Sequence, residues 1–184
     1  MPRKSSLQPL ARDSLHVNHP PVTRQARYVG PSHMSLSSSE PEQSRGVVVE
    51  THKDGLPILW TFVPELPAEG IRLALPWLTV FAWRYDGSSR NGMPPIEVNE
   101  SMLKLDDAIG RIERPDLCVE AYRRVGGGLR EFVFYVGDRE KFMAEFNANV
   151  SGHERYPIEI KFYKDESWSE LQKLIDGECQ EFCV

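Results

Sequence analysis

Cysteine is scarce in this sequence, with three residues among 184, and the odd number argues against a disulfide framework. Cys118 lies in an apolar run typical of a strand, where a buried thiol is the ordinary interpretation. Cys179 and Cys183 are four residues apart at the C-terminus, and a metal site there would need two further ligands that no nearby histidine supplies. We therefore predict three reduced thiols and no metal, with a redox pair at the C-terminus as the alternative.

Long hydrophobic runs are also missing. The longest candidate is residues 71–83, "IRLALPWLTVFAW", which contains Arg72 and Pro76 and is shorter than the roughly 18–20 residues that a membrane span needs. The first residues contain no apolar stretch of a secretory signal. The sequence thus predicts a cytoplasmic protein without a membrane partner.

Motifs of common enzymes are absent as well. The sequence has no G-x-S-x-G, no H-x-x-x-H and no C-x-x-C. The triplet Gly126–Gly128 lacks the Gly-Lys-Ser/Thr of a phosphate-binding loop and precedes a strand, so it predicts a turn with positive φ. Asp106 and Asp107 would point about 100° apart on a helix and are expected to be solvated. These absences favour a protein without a cofactor and make a non-enzyme the better expectation.

Basic residues are few where the chain is expected to fold. Residues 1–45 carry six basic and three acidic side chains, which leaves 16 basic and 24 acidic ones in residues 46–184, a net charge of −8. An acidic domain repels a phosphate backbone, so nucleic acid is an unfavourable partner.

Residues 1–45 are rich in serine, proline and arginine and show no helical or strand periodicity. We predict a disordered tail for this segment, and Met34 is a candidate for the natural start of the protein.

Hydrophobic periodicity begins at Val47 and predicts one α+β domain over residues 46–184. Asp54-Gly55 joins two strand-like runs and is a strong hairpin signal. The predicted strands after the hairpin are 77–85, 117–125, 130–136 and 156–163. The predicted helices follow Asn99, Asp138 and a capping box formed by Ser167 and Glu170. The first of them has an apolar stripe at spacings of three and four, which is expected to be buried: Met102, Leu105, Ile109 and Ile112.

The order of these elements predicts the fold. The six from strand 77–85 to strand 156–163 match the split βαβ arrangement of ferredoxin-like folds, with two helices on one face of an antiparallel sheet. The N-terminal hairpin and the last helix are additions to that unit.

Several segments together resemble the domain of unknown function 695 family. They are "DGLPILWTF", "PWLTVFAWRY", "NGMPP", "GGGLREFVFYVGDREKF" and "RYPIEIKFYKDESWSEL", and they place the resemblance at about residues 46–176. The resemblance implies no established activity and no catalytic residues. It implies an association with domains similar to the regulator of ribonuclease E activity B, and hence regulation through protein contact.

Three polar groups are candidates for a ligand or partner surface. Arg90 and Asn91 lie in the polar loop "DGSSRNGMPP", where Asn91-Gly92 predicts a tight turn. A basic cluster flanks the glycine turn, and salt bridges to acidic neighbours are its better interpretation. It consists of Arg123, Arg124 and Arg130. His153 and Glu154 lie in a polar loop and would supply acid–base groups if, as the alternative, the protein is an enzyme that also uses Arg90.

Strand 77–85 presents Trp77, Phe81, Trp83 and Tyr85 on one side. If the helices cover the other side, these rings need a cover, because leaving them wet would forgo on the order of 10 kcal/mol. The predicted cover is another chain or the N-terminal hairpin together with the proline-containing linker that joins it to strand 77–85, so Trp83 and Tyr85 join the candidate partner surface. Self-association or binding of another protein would use this aromatic face or an edge strand.

Arg130, Phe132 and Phe134 form an R-x-F-x-F pattern that is similar to an RNA-binding strand. Glu131 stands where that pattern has glycine, and the same aromatic rings suit a core strand. RNA binding through the sheet is therefore the third hypothesis, after a non-catalytic binding or regulatory domain and an enzyme.

Overall fold

The computed structural model describes residues 25–26 and 46–177. Its strands are β1 (Gln25–Ala26), β2 (Val47–Lys53), β3 (Leu56–Phe62), β4 (Trp77–Arg84), β5 (Cys118–Gly126), β6 (Leu129–Val136) and β7 (Ile158–Lys164). Its helices are α1 (Glu69–Ala74), α2 (Ile96–Gly110), α3 (Arg139–Asn149) and α4 (Ser169–Ile175), with a short 3-10 turn at Ser88–Arg90.

The strands form one sheet in the order β1-β2-β3-β5-β6-β4-β7, and every neighbouring pair is antiparallel. The predicted α+β class is confirmed. The hairpin turn is also confirmed, since Asp54 and Gly55 have φ values of 50° and 79°. Because β3 pairs with β5, the hairpin widens the same sheet.

One face of the sheet packs against α2 and α3. The predicted apolar stripe is buried there, with Met102, Leu105 and Ile109 on α2 and Ile112 just after the helix ends. From α3, Phe142 and Phe146 meet the ring of Phe81 on β4 at 5.9 and 5.1 Å between ring centres. This cluster contains the aromatic side of β4, so the prediction that this side lies opposite the helix layer is wrong.

The other face is covered by α4 and by the segment around α1. Leu171 and Leu174 of α4 are buried against Leu78 and Val80 of β4. Trp168 stacks on Tyr135 of β6, with ring centres 3.8 Å apart. Helices thus lie on both faces, and β4 and β6 are central strands buried on two sides.

The glycine triplet forms the predicted turn between β5 and β6, and all three residues have positive φ. Gly126 has φ +135°, and a Cβ there would lie 2.3 Å from the carbonyl oxygen of Pro57. This close approach of β5 to β3 accounts for the glycine.

Two of the three predicted helix starts need correction. Asp138 caps α3 as predicted, because its carboxylate accepts the amides of Glu140 and Lys141. Helix α2 begins at Ile96, directly after the N-cap Pro95, so Asn99 lies inside the helix.

The predicted capping box of α4 is also wrong. The carboxylate of Asp165 accepts the amides of Ser169 and Glu170 instead, while Trp168 takes a left-handed conformation with φ 58°. Asp165 therefore caps the N-terminus of α4, the role that was predicted for Ser167.

Some predictions fall on segments with little or no description. Strand β1 lies inside residues 1–45, and the rest of that predicted tail, Met34 included, is outside the described residues, as are Cys179 and Cys183. Helix α1 occupies the proline-containing segment that was expected to be a linker. Within 46–177 no helix is long and apolar enough to cross a membrane.

Candidate functional site

The outward side of α2 and the loop between α3 and β7 enclose a groove of about 420 Å³, which we call the α2 groove. Helix α2 contributes Ser101, Lys104 and Asp107, and Arg111 follows at the C-cap of the helix. Their spacings of three, three and four residues place them on one stripe of the helix, beside the buried stripe. The loop contributes Gly152, His153, Glu154 and Tyr156.

The loop side of the groove is held by aromatic packing. The ring of Tyr156 lies against Trp83 of β4, with 5.6 Å between ring centres. Its hydroxyl is 2.6 Å from Nδ1 of His153, so the two side chains share one hydrogen bond. Burial raises the pKa of Tyr156, and the nearby carboxylate of Glu154 adds to the shift, which keeps the phenol neutral at physiological pH. Tyr156 therefore connects the sheet to the exposed His153.

The α2 groove presents both signs of charge. Lys104 and Arg111 are cationic, Asp107 and Glu154 are anionic, and all four side chains are exposed. Hydroxyl groups come from Ser101 and Tyr156. Such a lining suits a polar ligand that carries both a positive and a negative group.

The predicted polar residues are separated by the fold. His153 and Glu154 line the α2 groove, but Arg90 does not. Arg90 and Asn91 belong to the loop before α2, where Asn91 adopts the predicted turn with φ 53°. The proposed enzyme site of His153, Glu154 and Arg90 is thus not assembled around the groove.

The loop of Arg90 docks on the glycine turn. The carbonyl oxygen of Gly92 accepts the amide of Gly128 and the hydroxyl of Tyr85, at 3.1 and 3.0 Å. The amide of Tyr85 donates to the carbonyl oxygen of Gly128. Burial raises the pKa of Tyr85, so it remains a neutral donor. Tyr85 therefore connects two loops. Its predicted place on an exposed aromatic surface is wrong.

The three arginines of the basic cluster form ion pairs, as their better interpretation predicted. Arg123 contacts Asp106 at 3.1 Å and Glu120 at 2.6 Å. Arg130 lies 3.6 Å from the same Asp106. Asp106 is therefore not the solvated carboxylate that was expected, and its side chain is 14% exposed.

Arg130 is the least solvated member of this network on the helix side. Its guanidinium lies 4.7 Å from the ring centre of Phe132, and its Nε has no hydrogen-bond partner in the described part of the chain. Burial lowers the pKa of Arg130 against the opposing effect of Asp106. Asp106 thus provides the charge that makes burial of Arg130 tolerable.

Arg124 points to the opposite face of the sheet. It is buried against Trp60, and its guanidinium lies 3.4 Å from the carboxylate of Glu131, which is also buried. Glu131, which interrupts the R-x-F-x-F pattern, is thus the ion-pair partner of a neighbouring strand.

The aromatic rings singled out in the sequence lie in the core. Trp83 is 5% exposed, and Phe81, Phe132 and Phe134 are at most 1% exposed under α2 and α3. Trp83 is therefore not a free partner surface, and the rings of the R-x-F-x-F pattern are not available for base stacking.

A second, shallower depression of about 450 Å³ lies on the other side of α2, beside Arg123, and shares Asp107 and Arg111 with the α2 groove. The polar surface therefore continues around the helix. Five residues of the α2 groove were not predicted from the sequence: Ser101, Lys104, Asp107, Arg111 and Tyr156. The signal that could have indicated most of them is the recurrence of polar residues every three or four positions along α2.

Cys118 and potential metal ligands add nothing to this surface. Cys118 is buried at the start of β5, and burial raises the pKa of its thiol to about 11, as expected for an unreactive core cysteine. Residues 25–26 and 46–177 contain no group of three or more side chains that would hold a metal ion.

A family model described as a family of unknown function (DUF695) matches residues 48–174. This confirms the resemblance drawn from the strand and turn segments. No curated protein and no solved structure matches the chain.

Proposed function

This chain belongs to the family of unknown function DUF695, and we propose that it is a non-catalytic cytoplasmic binding domain that takes a small polar ligand in the α2 groove. The observation that carries the proposal is the mixed-charge lining of a groove of about 420 Å³. That volume lies within the ~300–1,000 Å³ range of small-molecule sites.

The rigid setting of the α2 groove supports binding. Three of its side chains stand on α2, whose neighbouring stripe is buried in the core, and a fourth, Arg111, lies at the C-cap of that helix. Tyr156 is fixed on the loop side by Trp83 and by His153. The backbone that carries these groups is therefore held in place before a ligand binds, which lowers the entropic cost of binding.

The openness of the groove favours binding over catalysis. Its charged side chains face solvent, and charge–charge interactions there are screened by water and salt. Acid–base catalysis usually depends on groups whose pKa values are tuned by burial. The enzyme alternative rests on the hydrogen bond between His153 and Tyr156 and would need both side chains for turnover.

We further propose that β4 to β7 form a ferredoxin-like unit, which the strand order β5-β6-β4-β7 and the two crossing helices support. The family resemblance favours a regulatory role for the domain through contact with another protein. In that case the ligand of the α2 groove would modulate the contact.

Titration of the ¹⁵N-labelled full-length chain with zwitterionic amino acids and dipeptides tests the proposal. Amide shifts should cluster at residues 101–111 and 152–156. The double variant Lys104→Ala/Arg111→Ala should weaken binding at least tenfold, while Lys141→Ala on the exposed side of α3 should not change it. Shifts that cluster at the glycine turn, or an unchanged affinity of the double variant, would refute the α2 groove as the site.

The enzyme alternative has a separate test. His153→Gln keeps a hydrogen-bonding side chain beside Tyr156 but removes the titrating imidazole. A binding domain should retain most of its affinity for the ligand in this variant, whereas turnover of the ligand by the parent chain and its loss in His153→Gln would establish catalysis.

A further inference from the structure

Strand β7 is an outermost strand of the sheet. It pairs with β4 along its full length, from Ile158 opposite Trp83 to Lys164 opposite Trp77. Among the described strands none lies on its other side. An edge of this kind leaves a row of backbone N–H and C=O groups without a sheet partner, and proteins usually protect such edges with charged side chains.

The two sides of β7 differ in chemistry. Ile158, Ile160 and Phe162 point toward α2 and α3 and contact the core there, but each is only half-buried. Glu159 and Lys161 point to the other side, and their charged groups lie 3.3 Å apart in an exposed ion pair. A strand that paired with the outer edge of β7 would therefore bury more of these three apolar side chains.

A second copy of the chain can pair with β7 antiparallel about a two-fold axis normal to the sheet. Such an axis lies midway between the two strands, next to one residue that faces its own copy, and side chains on the same side of the sheet face one another. The possible registers therefore differ in which residue of β7 lies beside the axis and faces its own copy.

The charges of β7 select one register. An axis at Glu159 or at Lys161 would place like charges opposite each other, and an axis at Phe162 or at Tyr163 would place Lys164 opposite an apolar residue. With the axis at Ile160, Glu159 of each copy faces Lys161 of the other, and opposite charges across strands stabilise a pair. In this register Ile160 faces itself, and Ile158 faces Phe162.

The length of the pairing is limited to five residues in each copy. Pro157 precedes the strand and has no N–H to donate, so the ladder ends at Ile158 and, by symmetry, at Phe162 of the other copy. Short edge-to-edge interfaces bury little surface, and the association should be weak and reversible.

From an edge without a neighbour among the described strands and from the single complementary register, we propose that two copies of this chain form a symmetric dimer through β7, centred on Ile160, with one sheet continuous across both. This role is independent of the α2 groove. The charges that protect the edge against other strands also fix the register of the one pairing they permit.

Charge reversal in the full-length chain tests the dimer by sedimentation velocity between ~10 μM and ~1 mM. The parent chain should shift from monomer mass toward twice that mass as concentration rises. Glu159→Lys and Lys161→Glu should each weaken dimerisation at least tenfold, and the double variant Glu159→Lys/Lys161→Glu, which restores opposite charges across the axis, should recover it.

Glu140→Lys and Lys141→Glu, at exposed positions of α3, carry the same changes in net charge and should leave the dimer intact. Unchanged melting temperatures would show that all variants are folded. A parent chain that stays monomeric throughout the range, or a dimer that survives both single reversals, overturns the proposal. Failure of the double variant to recover dimerisation overturns the register.

Discussion

The carboxylate of Asp165 joins the end of β7, the start of α4 and the core of the sheet. It accepts the hydroxyl of Tyr135 at 2.6 Å, the amides of Ser169 and Glu170 at 2.9 and 3.1 Å, and the hydroxyl of Ser167 at 3.2 Å. Burial alone would favour the neutral acid, but these hydrogen bonds outweigh it and hold the pKa of Asp165 below its usual value.

We predict that Asp165→Ala lowers the free energy of unfolding by about 2–4 kcal/mol. Loss of the helix cap accounts for about 0.5–2 kcal/mol. The rest comes from Tyr135, whose fully buried hydroxyl would lose its acceptor at a cost of about 1–3 kcal/mol. Asp165→Asn keeps one acceptor oxygen and should cost about half as much.

The stabilisation should also depend on pH. Because the folded-state pKa is lowered, the contribution of Asp165 is fully present above the unfolded pKa of about 3.9 and is lost as the pH falls through the folded-state value. The stability difference between the parent chain and Asp165→Asn should therefore narrow below about pH 4.

Urea unfolding followed by tryptophan fluorescence measures these differences, and Trp168, stacked on Tyr135, reports on the affected region. Glu166→Ala is the matched control, since Glu166 forms an exposed ion pair with Lys164 on the same turn and should contribute less than about 0.5 kcal/mol. An Asp165→Ala variant within ~0.5 kcal/mol of the parent, or a difference that widens at low pH, would refute the reasoning.

Three further predictions concern neighbouring or buried residues. Gly126→Ala should lower the free energy of unfolding in urea by more than about 2 kcal/mol, because its Cβ would lie 2.3 Å from a backbone oxygen. Gly127→Ala, with open space around it, should lower it by about 1 kcal/mol, and equal losses for the two variants would contradict this. Asp106→Ala should lower the free energy of unfolding by about 1–3 kcal/mol, because it leaves the poorly solvated guanidinium of Arg130 unpaired. Asp107→Ala, at an exposed position, should leave the stability unchanged, and similar melting temperatures for the two variants would count against the ion-pair network. Cys118, with a thiol pKa of about 11, should resist iodoacetamide at pH 8 until the chain is unfolded in urea, as peptide mass spectrometry can check; labelling of the folded chain would show that it is accessible.

Local rules predicted the elements that depend on neighbouring residues. The Asp54-Gly55 turn, the cap at Asp138 and the apolar stripe of α2 follow from dihedral preferences, short-range hydrogen bonds and helical periodicity, and the structure contains all of them. The α+β class follows from the order of those elements.

The position of the layers could not be predicted in this way. Both sides of β4 are apolar, so its pattern does not say which side meets α2 and α3. The choice depends on contacts with α4, whose sequence lies about ninety residues away. The α4 cap shows the same limit, because Ser167 offers the local motif while Asp165, fixed by Tyr135 of a distant strand, accepts the amides.

The candidate site was predicted only in part. The sequence drew attention to His153 and Glu154 because of their chemistry, and both line the α2 groove. Their neighbours on α2 carry ordinary surface charges, and no short motif joins them to a loop that lies some forty residues later. Arg130 and Trp83 were candidates for a partner surface because of their side chains, but the tertiary packing largely buries both.

The two margins of the sheet are closed to different degrees. Strand β2 has a neighbour through two residue pairs, Gln25 with Glu50 and Ala26 with Val49, whereas β7 has none among the described strands. Among the described strands, a fragment starting at residue 46 would leave both β2 and β7 without an outer neighbour. In the proposed dimer each β7 already pairs with β7 of the second copy, so β2 of one dimer could pair with β2 of the next, and such a fragment should tend toward open-ended chains of dimers rather than discrete dimers. In the full-length chain, the short strand β1 would therefore prevent growth of the sheet at β2.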